Sequence, residues 1–526
     1  MKRYNYKEYI AHIFPCIYYG IICGAITGAL IFLFKLCAKK AEEISHYLYN
    51  LASNSPLTVA LTFVVLILCG LLMYALHKKV PECMGGGIPR SEGVLRGVLY
   101  FRHIPTLFAT FFGSVLSFLC GLPLGSEGPA VLMGTCVGKL CVSNKQSTWS
   151  RYVMTGGAGA GFAVATGAPL SGILFALEEI HKRFTPMLVL SVSASVITAT
   201  YTNRGLCQMF SMDANLLHIE NIGEYSLEHG GYLLLLGVII ALAVGIFDAS
   251  ISIFRNITSK FKRFLTPAVK LVALFVLTGV LVFTFSESVY SGHHTIIEIA
   301  SEYKPWLFLA AIFVVRLLMM LFITDSGATG GIFIPTLAIG CAGAALAAKL
   351  LCNMGMPREL FTVTVILGMC AFIGGTLRAP LTASVLFLEL TGEFTNLLFV
   401  ALVIFTVSFI TEIFNLTPFY DIALENMEHK QNHGKQPVIA CFEMRVAPDA
   451  FVVGKTVRDI MWPHSSVVIS VKRADESNQD MDNDGEKKLY SEDTVVVRAK
   501  FYDEDEIRNL LKGLVGDKYE IKRTEV

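Results

Sequence analysis

Six stretches of this chain stay apolar over nearly the thickness of a lipid bilayer: Ile13 to Phe34, Val59 to Leu76, Gly231 to Phe247, Lys270 to Phe285, Trp306 to Ile323 and Asn396 to Phe414. About 20 apolar residues in a helix span the hydrocarbon core, whereas a buried helix of a soluble protein is usually shorter. Composition agrees: 54% of the residues are hydrophobic and only 16% are charged, against roughly a quarter in soluble domains. The sequence therefore predicts an all-α polytopic membrane protein.

The net charge of +1 offers no basic surface, so nucleic acid is not expected as a partner. The thirteen cysteines are scattered singly and form no CxxC pair, so they read as small packing residues, and neither metal nor cofactor is expected. The basic start, Met1 to Lys7, leads into an apolar stretch too long for a signal-peptide core; it reads as the first membrane helix. Lysines and arginines at the segment ends give no clean sidedness. The polar last ninety or so residues are easiest to keep in the cytoplasm, which predicts a multi-pass protein of the cell inner membrane with its C-terminus inside.

Composition divides the chain into a membrane part, residues 1–425, a polar linker, 426–437, and a soluble module, 438–526. In the module, Val438 to Val446, Val467 to Val471 and Thr494 to Phe501 read as strands, and Ile507, Leu510, Leu511 and Leu514 share helical spacing, giving a small α+β domain. Asp480 to Gly485 is like the start of a calcium loop, but the twelfth position is Ser491, with Glu492 one place late; it reads as an acidic solvated loop.

Within the membrane part, short apolar segments follow Pro89, Pro129, Pro169, Pro335 and Pro380, as expected of helices that stop partway across the bilayer. They also repeat. Ala168-Pro169-Leu170-Ser171 leads to Glu178, and Ala379-Pro380-Leu381-Thr382 leads to Glu389 at the same spacing. Upstream, Gly125 to Pro129 with Gly134 matches Gly331 to Pro335 with Gly340. This is an internal duplication, and secondary transporters are the precedent for inverting its halves.

A small anion crossing a bilayer must exchange water for other donors. Free N–H groups at a helix start supply them without a full positive charge that would trap the ion. Gly85 to Pro89, Gly125 to Pro129 and Gly331 to Pro335 fit such starts, with glycine for close approach and proline where no N–H is needed. Glu127 would compete with the anion for those donors and could exchange protons there, although an acid at this place could also be a plain cap. Glu178 and Glu179 are adjacent on an apolar segment and face different ways, so at most one can line a pathway.

Taken together these residues resemble the CLC family of chloride channels and chloride/proton exchangers. Its GSGIP, G(K/R)EGP and GxFxP signatures correspond in order to GGGIP (85–89), GSEGP (125–129) and GIFIP (331–335), joined by APLSGILFALEEI (168–180) and Pro418-Phe419-Tyr420. The resemblance implies two inverted repeats with broken helices and a homodimer with one pathway per subunit. Glu127 would be the external gating glutamate and Glu179 the internal proton-transfer glutamate. The Tyr420 hydroxyl and the amides of Ile332 and Phe333 would hold a central anion; those of Ser126, Glu127 and Gly128 would hold an outer one. At Gly86 the family's serine hydroxyl is missing, and at Ser126 its basic residue.

Chloride/proton antiport across the membrane is the reading these residues favour. A passive chloride channel and a fluoride/proton exporter are the alternatives, with nitrate a further candidate anion; Glu179 and Tyr420 argue against fluoride. An enzyme is not expected, for no nucleophile–base pair stands out. The soluble module resembles an RCK C-terminal (TrkA-C) domain through Gly454 to Ile460, which implies a small-molecule ligand of unnamed class.

Overall fold

The computed structural model describes residues 6–142, 147–212, 223–261, 264–431, 436–463, 466–473 and 485–524. Along the first half run α1 (Tyr6–Ala52), α2 (Pro56–Lys79), α3 (Ile88–Arg96), α4 (His103–Leu119), α5 (Glu127–Cys141), α6 (Ser147–Thr166), α7 (Pro169–Phe175) and α8 (Pro186–Met209). The second half continues with α9 (Gly230–Lys260), α10 (Pro267–Thr284), α11 (His293–Ser301), α12 (Trp306–Ser326), α13 (Phe333–Asn353), α14 (Phe361–Leu377), α15 (Pro380–Thr391), α16 (Leu397–Ile413) and α17 (Phe419–Gln431). Among the described residues, seven helical segments are long and apolar enough to cross a membrane.

Each expected apolar run lies in a helix, with differences at the ends. α1 continues eighteen residues past Phe34, because Cys37 to Glu43 contains no breaker and several good helix formers. α13 was expected as a short segment after Pro335, yet it runs for 21 residues. Its small residues, Gly340, Ala342, Ala344, Ala345, Ala347 and Ala348, let it pass through the packed interior, where it is buried nearly all round. The polar stretch from Asn426 begins as the last turns of α17.

The duplication noted in the sequence has a physical partner. The amide of Gly125 donates to the carbonyl of Gly331, and the amide of Gly331 donates back to Gly125, both at 2.7 Å. Farther on, the Glu178 carboxylate accepts from the amides of Leu381 and Thr382, at 3.0 and 2.7 Å, and from the Thr382 hydroxyl at the start of α15. Glu389 returns the same three bonds to Leu170 and Ser171 at the start of α7, at 2.6–2.8 Å. Matched residues that exchange identical bonds are related by a two-fold operation. The acids also cap helices whose first amides would otherwise lack partners.

The C-terminal module is a four-stranded antiparallel sheet with α18 (Glu504–Val515) against it. Its strands are β1 (Val438–Arg445), β2 (Ser466–Lys472), β3 (Thr494–Phe501) and β4 (Lys522–Thr524), in the order β2-β3-β1-β4. Asp480 to Asp484 of the acidic loop lie outside the described residues. The module packs on the membrane part: Phe451 meets Tyr152 of α6 with ring centroids 6.1 Å apart, and Arg183 Nη1 donates to the Ile460 carbonyl.

Lys455 sits in this module with its ammonium over the Phe451 ring, and no acceptor among the described residues takes its protons. Burial pushes it down to about 7, from 10.5 for a free lysine. The unfolded chain therefore binds more protons than the folded one between those values, and Lys455 weakens the module progressively as pH falls from 10.5 toward 7. Lys455→Met should raise the thermal midpoint of the detergent-solubilised protein at pH 7, and by clearly less at pH 9. An equal gain at both values would place the effect in packing rather than charge.

Candidate anion and proton site

Three helix starts meet at one point. α3 begins after Gly87, which takes φ 79°, a left-handed turn that favours glycine; α5 begins after Ser126 and α13 after Ile332. Among the described residues, none of the three has a cap bond from the side chain of its N-cap residue. By contrast, Ser55, Thr185 and Thr266 cap α2, α8 and α10 by accepting from Thr58, Leu188 and Val269. At the three bare starts the N-cap side chains leave the first N–H groups open, and those of Glu127 and Ile334 face the Glu127 carboxyl group.

Gly128 is where they touch. A Cβ there would run into the Gly86 carbonyl oxygen and lie 2.9 Å from the Gly331 Cα. Gly87 in turn presses on the Gly128 carbonyl, and Gly86 faces the Ile332 side chain. All three glycine-rich motifs thus form one junction, although the sequence separates the first and last by more than two hundred residues.

The Glu127 carboxyl group lies inside this junction, with no exposed surface. Its Oε1 accepts from the Ser126 hydroxyl at 3.0 Å, while Oε2 has no hydrogen-bond partner among the described residues. The amides of Glu127 itself and Ile334 and the ammonium of Lys35 are the other electropositive groups that act on it. Its carboxylate can therefore take the place of an anion at the helix starts. Phe162 and Phe175 stack at 4.2 Å, and Phe333 packs edge-on to Phe162 at 5.0 Å, an apolar wall against water beside the start of α13.

Tyr420, second residue of α17, is buried, and the carboxyl groups of Glu179, Glu127 and Glu92 all act on its hydroxyl electrostatically. Glu179 lies next to Glu178 on one π-helical turn, Ala176–Ile180, and the two side chains diverge. Glu178 goes to the α15 start, whereas Glu179 points inward, 1% exposed, with Oε1 unpartnered among the described residues. Gly86, Ser126, Glu127, Gly128, Ile332 and Phe333 all belong to the junction.

Two groups of functional candidates escaped sequence reading. Near Glu179 lies an ionic cluster in which buried Glu92 pairs with Arg96 at 2.6 Å and with Lys182 at 3.5 Å. Lys182 also pairs with Asp421 at 2.8 Å, and these outer two are about a third exposed, so the cluster reaches from the interior to the surface. Its local signal was the Glu92–Arg96 spacing of four on the helix that begins at GGGIP. The other is Lys35, whose ammonium donates to the Val164 carbonyl at 3.2 Å and lies near Glu127. It puts a basic group within electrostatic reach of Glu127; a lysine inside a membrane-length helix was its signal.

A duplicated helical membrane fold with bare helix starts around a buried carboxyl group defines a protein that handles small anions in the bilayer. A family model described as "Voltage gated chloride channel" matches residues 66–412, and the chain belongs to that family. It is 31% identical over 436 residues to the "H(+)/Cl(-) exchange transporter ClcA" of Yersinia pseudotuberculosis, covering 80% of this chain and 89% of that one. The protein of the same name from Vibrio vulnificus is 30% identical over 371 residues, covering 67% and 75%. Among solved structures, "a slow cyanobacterial Cl-/H+ antiporter" superposes with a TM-score of 0.73 at 27% identity, covering 79% of this chain and 99% of that one.

Proposed function

We propose that this chain exchanges chloride for protons by secondary active transport. The observation that carries the reading is the fully buried Glu127 carboxyl group at the junction of three uncapped helix starts. Charged, it occupies the amides and excludes the anion; protonated, it binds them weakly and leaves, so one site serves anion and proton in turn. The amides around Ser126, Glu127 and Gly128 form the outer anion position. Those of Ile332 and Phe333, the Tyr420 hydroxyl and the Gly86 backbone form the central one. Glu179 hands protons to and from the inner face, with the Glu92–Arg96–Lys182–Asp421 cluster as its polar approach. The names of the relatives support the same exchange.

The rest of the reading follows the family. The protein works as a homodimer in the cell inner membrane, residues 1–425 carry transport, and 426–437 link them to a cytoplasmic module, 438–526. That module is of RCK C-terminal type, supported by its small sheet and by its packing on α6, and it binds a small regulatory ligand. Transport rather than catalysis is the function.

In liposomes holding the purified protein, an imposed chloride gradient should drive protons uphill. Chloride flux with no proton movement would leave a passive channel, and a strong preference for fluoride would leave a fluoride exporter. Gly86→Ser probes selectivity: its Cβ would meet Ile332 at 3.1 Å, a contact that a small side-chain shift relieves. One added hydrogen bond contributes about 0.5–1.5 kcal/mol, so chloride over nitrate should rise roughly two- to tenfold. An unchanged preference order would remove Gly86 from the selectivity site.

A further inference from the structure

We infer that His293 is a proton-transfer residue that connects Glu127 to an acidic vestibule; this rests on the reading of Glu127 given above. A cavity of about 730 Å³ opens beside the site, and its lining includes Glu42, Glu43, His46, Glu287, His294 and Glu298. Of its four glutamates, Glu43 pairs with Lys40 and Glu298 with Lys304, which leaves Glu42 and Glu287 without an ion-pair partner among the described residues, beside Lys39. Acids and histidines together give this lining groups that take up and release protons.

His293 is the first residue of α11 and stands where this cavity meets Glu127. Its Nε2 lies 4.0 Å from Glu127 Oε1 and has no hydrogen-bond partner among the described residues. A small rotation of either side chain, or one bridging water, closes that gap. On the other side of the ring, Nδ1 lies 3.0 Å from the Ser291 hydroxyl oxygen. The Ser291 hydroxyl donates to Glu42 Oε1 at 3.0 Å, and the Ser291 amide points to the same oxygen at 3.4 Å. Because that hydroxyl hydrogen is used on Glu42, Ser291 accepts from Nδ1–H, which leaves the Nε2 lone pair facing Glu127. The remaining charged groups acting on the ring are Lys35 from α1 and Arg316 from α12.

The transfer balances without any other reagent. Protonated Glu127 gives its proton to Nε2, which forms an imidazolium and a carboxylate. The imidazolium then releases Nδ1–H to Ser291 as the Ser291 hydroxyl proton passes to Glu42, and the vestibule takes it up. Inward protonation of Glu127 is the reverse, and in either direction the ring returns its remaining proton to the starting nitrogen, through vestibule water or by turning over, before the next passage. His293 is 21% exposed, enough to meet vestibule water and too little to be a surface residue.

The test is proton-coupled chloride exchange in liposomes by the full-length protein. His293→Ala should slow exchange about tenfold or more. Imidazole added on the vestibule side should restore it, since the cavity has room for the ring. The slowing should disappear once Glu127 is itself replaced by Gln, because no proton then has to arrive. Exchange at the wild-type rate in His293→Ala would overturn the proposal, as would a slowing that imidazole leaves unchanged or that persists with Glu127→Gln. If Glu127→Gln alone still moved protons uphill, the failure would lie in the reading of Glu127 itself.

Discussion

In liposomes, Glu127→Gln should keep chloride moving and bring proton movement down to the background leak. The amide keeps the size of the carboxyl group, yet it carries no charge with which to hold the bare helix starts and no proton to give up. The anion then finds its donors open, and passage no longer waits for protonation. Chloride flux should therefore run down its gradient with no proton counterflow, read by a chloride electrode and a pH electrode in one vessel. Proton pumping that survived the substitution would show that the acid at this junction is not the coupling group, and the exchange mechanism would fall with it.

Gly128→Ala should abolish chloride flux. The added methyl meets the Gly86 carbonyl oxygen and the Gly331 Cα, both backbone, so no side-chain rotation relieves it. Overpacking of ordinary cores costs about 1–3 kcal/mol when neighbours can shift. Here the neighbours are the two other helix starts, which must part and carry their amides away from the anion. Size-exclusion chromatography would separate loss of site from loss of fold. A well-folded Gly128→Ala protein with normal flux would mean that the three motifs need not meet this closely for transport.

Much of this architecture was readable beforehand because the bilayer leaves few options. Long apolar runs must be helices, and glycine–proline breaks at membrane depth must be enclosed by protein. The junction was legible for the same reason: Gly125 to Pro129 and Gly331 to Pro335 are local patterns with one sensible use. Contacts between distant segments were not. Nothing near His293 in the chain connects it to Glu127, and Lys182 and Asp421 are separated by more than two hundred residues before they pair. The spacing of Glu178 and Glu389 was visible, but their use as caps on each other's partner helices depends on a two-fold relation that no local pattern encodes.

That mutual capping bears on how such a chain could arise. A single ancestral half would carry a carboxylate with no helix to cap and a helix with no carboxylate, and a pair of identical copies would satisfy both. Joining the copies in one polypeptide removed the need for sameness. The repeat that matches Gly125 to Gly331 also matches Glu127 to Phe333. One half has an acid where the other has an aromatic ring, and that inequality gives a repeated fold an inside and an outside.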